Sequence, residues 1–75
     1  MVEVFKTNVV DVEAANELVS VLHHHFIDHH ANFDLEDCDR ILRVENEEST
    51  MNVDLIVSLV EKHGYQAAVL EDNLV

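Results

Sequence analysis

The chain has 75 residues, 48% of them apolar, with 16 acidic side chains against 4 basic ones and a net charge of −12. That length suits one domain, residues 1–75, above the roughly 40 residues below which disulfides or metals are usually needed to hold a fold. The charge excludes the basic stripe that nucleic acid or an anionic membrane surface requires, and a single cysteine excludes an internal disulfide framework.

Val2 to Val9, VEVFKTNV, alternates and is rich in β-branched residues, which predicts a strand. Asp11 is placed to cap a helix, and Glu13 adds negative charge to its first turn, where the helix dipole favours it. Ala15, Leu18, Val19, Leu22 and Phe26 then recur at helical spacing and form one apolar face. Ala31–Glu36 and Arg40–Glu45 are two alternating runs joined by Asp37-Cys38-Asp39, the pattern of a hairpin without the usual glycine. A polar break, NEEST, ends with Thr50 or Asn52 as the next cap. Val53, Ile56, Val57 and Val60 form a second helical stripe, stopped by the only glycine, Gly64, in the role of a left-handed C-terminal residue. Tyr65 to Glu71, YQAAVLE, completes the series as a strand.

The order is strand, helix, strand, strand, helix, strand. Two helices with one apolar face each must cover a sheet from one side, giving an α+β two-layer sandwich. Right-handed crossovers and short connections favour the ferredoxin-like βαββαβ arrangement: a four-stranded antiparallel sheet with both helices on one face, and the second and fourth strands at its edges. Asn32, Asp34 and Glu36 then point polar groups outward along one edge and discourage edge pairing. The expected core is Val4, Leu18, Leu22, Phe33, Leu35, Leu42, Val44, Ile56, Val60 and Val69. Phe5 competes with Val4 for the phase of the first strand; in the Val4 phase, Phe5, Ile41 and Ala68 lie on the helix-free face.

FDLEDCDRILRV resembles the middle hairpin of the heavy-metal-associated domain family, and VDLIVSLVEKHGYQAAVLE resembles that family's second helix and last strand. The resemblance spans roughly Val2 to Glu71. It implies the ferredoxin-like fold and a role in handling metal. The family's metal loop, Met-x-Cys-x-x-Cys, suits a soft, low-coordinate ion such as Cu(I). Here the corresponding stretch is TNVVDVEAA, Thr7 to Ala15, with neither cysteine nor methionine. No ligand of that loop carries over, which makes this a degenerate member if it is one.

Metal chemistry is instead suggested by His23-His24-His25-Phe26-Ile27-Asp28-His29-His30, which holds five of the six histidines. Neutral imidazole nitrogen suits Zn(II), Ni(II) and Cu(II). Residues four apart share a helix face, so His25 and His29 are expected to chelate one ion, with His24, His30 or Asp28 completing the shell. Three consecutive histidines fan out by about 100° each and cannot all reach one ion from a regular helix. The plainer account is a solvated helix end whose imidazoles suit its negative dipole.

A second pair, Cys38 and His63, is expected at the end of the molecule where the family binds metal, with Asp37 or Asp39 nearby. The acidic excess is most simply a solvated surface, or a docking face for a basic protein partner. No nucleophile elbow, phosphate-binding glycine loop or EF-hand spacing is present, so no enzyme is expected. No apolar run reaches the length of about 20 residues needed to span a membrane, and the N-terminus lacks a signal pattern, so a cytoplasmic protein is expected, monomeric or weakly dimeric. Two functions stand open: a small non-catalytic metal-binding module using the histidine cluster, and an interaction or regulatory module without metal.

Overall fold

The first strand, β1 (Val2–Thr7), alternates as expected, but the side it buries is that of Phe5 and Thr7. In the computed structural model, which describes residues 1–48 and 50–70, five more elements follow. They are α1 (Val12–His25), β2 (His30–Asp34), β3 (Ile41–Glu45), α2 (Val53–Lys62) and β4 (Ala67–Val69). The expected end of the last strand at Glu71 lies outside the described residues. The strands form one antiparallel sheet in the order β2-β3-β1-β4, with the two helices on one face: the ferredoxin-like two-layer sandwich. α1 packs on β2, α2 packs on β4, and the helices touch each other.

Local chemistry explains the element boundaries. The Asp11 carboxylate accepts the Glu13 N–H at 3.1 Å and starts α1, satisfying one of the donors that helix geometry leaves unpaired. Asn52, not Thr50, caps α2 by accepting from the Leu55 N–H at 3.1 Å. α2 ends where Gly64 takes φ +91°, with its N–H bonded to the Glu61 carbonyl at 2.9 Å. The hairpin reverses without glycine because Arg40 accepts φ +46°. Its guanidinium donates to the Leu35 carbonyl at 2.6 Å, and its own carbonyl accepts from the Thr7 hydroxyl at 2.6 Å. These two bonds offset the strain of a left-handed residue that carries a Cβ.

The core joins Ala14, Leu18 and Leu22 of α1, Ile56 and Val60 of α2, and Phe5, Leu42 and Val44 of the sheet. Each fully buried side chain of this size contributes about 1.5–3 kcal/mol. Val4 does not belong to it. Phe5 stands opposite Leu42 on one neighbour and Val69 on the other, and opposed residues share a sheet face, so burying the larger ring turns Val4 to the helix-free side. Phe5 is therefore fully buried, and so is Val9 in the following loop. Phe33 and Leu35 are only partly buried, because β2 is an edge covered by α1 alone. Val69 is 38% exposed at the end of the short edge strand. On the helix-free face Ala68 is exposed as expected, whereas Ile41 is buried. Asn32 and Asp34 are exposed along the β2 edge.

Candidate functional site

The chain reversal between α1 and β2 divides the histidine run among separate environments. α1 ends at His25, where the Phe26 N–H closes the last turn on the Leu22 carbonyl at 2.8 Å. Helical spacing therefore does not extend from His25 to His29. Two imidazoles are occupied in holding the reversal together. His23 Nε2 accepts the Ala31 N–H at 3.0 Å, tying the helix end to the start of β2. His29 lies against the Phe26 ring at 5.0 Å between centroids, and its Nε2 meets the Asn46 amide at 3.1 Å. Neither lone pair is free for an ion without breaking one of these contacts.

His24 and His25 remain outside that arrangement. Both are exposed, with ring centroids 6.0 Å apart and planes at 85°. Together with Ser20, Val21 and His63 they line one shallow groove of about 380 Å³. His63 follows the last residue of α2, and its ring folds back so that Nδ1 lies 2.9 Å from the Leu59 carbonyl. A carbonyl only accepts, so Nδ1 carries the proton, and in the neutral ring Nε2 carries the lone pair. Metal-binding histidines are commonly oriented this way, with the second ring nitrogen donating to a backbone carbonyl. Two imidazoles sharing a tetrahedral zinc place their ring centroids about 5 Å apart, given Zn–N bonds of about 2.0–2.1 Å. The 6.0 Å spacing of His24 and His25 is within reach of that by rotation of exposed side chains.

Asp28 and His30, the other residues singled out in the run, sit on the opposite side of the reversal. They line a polar groove of about 470 Å³ with Ile27, Glu45, Asn46 and Glu47. His30 stands directly across from Glu45 in the sheet, and its ring lies edge-on to His23 at 6.2 Å. Asn46 is 9% exposed. Its Nδ2 donates to the Thr50 carbonyl at 3.1 Å as well as facing His29 Nε2, which fixes the orientation of the amide and makes that imidazole nitrogen the acceptor. Asn46 Oδ1 and His29 Nδ1 are left buried without a partner. Each such group costs about 1–3 kcal/mol when nothing else satisfies it.

Cys38 and His63 are not gathered into one ligand set. Among the described residues, the only group of three or more metal-ligating side chains with donor atoms within 4.8 Å of one another is Asp37, Cys38 and Asp39. The imidazoles of the helix-end groove thus reach a common ion only after side-chain rotation. The Asp37 carboxylate accepts the Asp39 N–H at 2.9 Å, and Asp39 lies 3.8 Å from the Lys6 ammonium. Those acids hold the turn and its neighbouring strand. The grouping of His63 with His24 and His25 was not legible in the sequence, because it depends on the ring turning back along α2. Glu45 and Glu47 were missed for a related reason: their proximity to Asp28 and His30 follows from hairpin register.

Among the described residues no helix is long and apolar enough to cross a membrane. Compared with protein-family models, with curated proteins and with solved structures, the chain gives no match in any of the three.

Proposed function

We propose that this chain is a small non-catalytic module, similar to a heavy-metal-associated domain, that binds a divalent transition metal through imidazoles and not through a cysteine loop. The observation that carries this reading is His63: its Nδ1 is held by the Leu59 carbonyl at 2.9 Å, and its ring shares a groove with His24 and His25. Three neutral imidazoles with one open position are a donor set suited to Zn(II), Ni(II) or Cu(II). The negative end of α1 lies beside His24 and His25, and a helix C-terminus favours cations. His29 acts as a structural neighbour of this site, and His30 and Asp28 lie across the reversal from it.

Calorimetric Zn(II) titration with amide chemical-shift mapping tests the reading on the wild type, His24→Ala and His25→Ala/His63→Ala. One-to-one binding at micromolar or tighter affinity is expected, with shifts centred on residues 20–25 and 63. The double variant should lose at least about tenfold in affinity, as removal of ligand-supporting groups commonly does. Weak multi-site binding that falls only in proportion to the histidines removed would refute it. The surface charge of −12 would then favour the second reading, docking to a basic protein partner.

A further inference from the structure

We infer that the groove between α1 and the free edge of β2 binds an extended peptide of alternating apolar and basic residues, which adds to the sheet as a fifth strand. β2 ends the strand order and pairs only with β3. Its Ala31 N–H points away from β3, since it donates to His23 Nε2 at 3.0 Å. Backbone groups alternate in direction along a strand, so the Phe33 N–H and carbonyl face outward as well. No bond from the rest of the described residues reaches them. An edge with open donors and acceptors is a template for another strand. β2 is also the longer of the two edges, with five residues against three in β4. Because His23 holds Ala31, pairing is open from Phe33 onward.

Beside this edge the surface is apolar. Val12, Ala15 and Val19 of α1, with Phe33 and Leu35 of the edge, line a groove of about 380 Å³, and no charged side chain lines it. Ala31 and Phe33 stand opposite the buried Val44 and Leu42. Residues of an added strand on that side therefore enter the groove, and the alternate ones fall beside Asn32 and Asp34. For this second set, charge decides the occupant. From Thr7 to Asp39, the stretch that forms α1 and β2, the chain has no lysine or arginine. Glu13, Glu17, Asp34 and Glu36 are exposed there. The nearest cations, Arg40 and Arg43, belong to the hairpin and to β3 and do not line the groove; Arg40 is engaged by the Leu35 carbonyl at 2.6 Å. Acids that discourage pairing with a like-charged strand favour a basic one. A second copy of the chain, itself at −12, is repelled.

The probe is a capped synthetic peptide, Lys-Val-Lys-Val-Lys-Val-Lys, titrated into the full chain with amide shift mapping and hydrogen exchange. Shifts centred on residues 12–19 and 31–36 are expected. The Phe33 amide should exchange more slowly at saturation, which side-chain contact alone would not produce. Replacing every lysine of the peptide by glutamate, or every valine by serine, should weaken binding about tenfold or more. Glu36→Lys should weaken it about fivefold. Glu47→Lys, in the loop after β3, should leave it within about twofold, because a distant exposed charge is largely screened. His25→Ala/His63→Ala should leave peptide binding unchanged, which separates this surface from the imidazole groove. Equal binding of the serine peptide would show charge attraction without a groove, and unchanged Phe33 exchange would show that no strand is added. A free chain that sediments as a dimer with Phe33 already protected would give the edge to a second copy. Each of these results overturns the inference, as does the absence of binding at millimolar peptide.

Discussion

The Thr7 hydroxyl joins two loops: it donates to the Arg40 carbonyl at 2.6 Å in a half-buried bond and accepts the Val9 N–H at 3.2 Å in a buried one. Thr7→Val keeps the shape but leaves both partners unpaired, so it should destabilise the fold by about 1–3 kcal/mol, while Thr7→Ser should recover most of that. Urea denaturation of the two variants checks it; equal midpoints for Val and Ser would show that the hydroxyl contributes nothing. The phase of β1 gives a sharper contrast. Phe5→Ala empties a fully buried position and should cost about 3–5 kcal/mol, enough to bring so small a domain close to unfolding. Val4→Ala, on the other face, should cost about 1 kcal/mol. Thermal melts of the pair would expose a wrong assignment if Val4→Ala proved the more damaging.

At the scale of elements, helix ends and the hairpin turn decide where the candidate site residues fall. Gly64 takes φ +91°, and a Cβ built there meets nothing within 4 Å. Gly64→Ala should therefore cost only the left-handed backbone penalty, about 1–2 kcal/mol, and lower the urea midpoint with an unchanged slope. A larger loss would imply a steric contact that the geometry does not contain. The hairpin carries a second lesson. Opposed residues share a face, so Ala31 and Phe33 can face Val44 and Leu42 only across a turn of even length. Three turn residues, Asp37 to Asp39, satisfy the composition of a turn but not this parity. The chain uses the six residues between Asp34 and Ile41, and that register sets His30 against Glu45 and not against Asn46.

For the whole molecule, ligand softness makes a prediction of its own. The stretch from Thr7 to Ala15 has no sulfur ligand, and Cys38 is exposed with aspartates for company. In competition with a strong Cu(I) chelator at neutral pH the protein should stay empty. Retention of one equivalent, abolished by Cys38→Ser, would contradict this. Zn(II) binding at the imidazole groove should weaken on acidification, because a protonated imidazole nitrogen cannot ligate. Titrations repeated at falling pH check the donor type: constant affinity would exclude imidazole as the ligand.

The sequence by itself determined the element order, the helix cap at Asp11, the stop at Gly64 and the faces of both helices, and it narrowed the second cap to Thr50 or Asn52. Each of those depends on residues a few positions apart, and periodicity with capping chemistry reads such distances directly. It also marked the histidine run as the unusual chemistry of the chain. Tertiary structure decided where the residues of that run lie. Which face of β1 is buried depended on two neighbouring strands at once, since Phe5 is opposed by both Leu42 and Val69. The end of α1 at His25 was set by the reversal into β2, with the His23 ring tied to the Ala31 N–H. That reversal separated His24 and His25 from Asp28 and His30, and packing and register then supplied partners from far along the chain: His63 to the first pair, Glu45 and Glu47 to the second. Local patterns carry no information about such partners, because the distances that matter are closed only when the sheet and helices assemble.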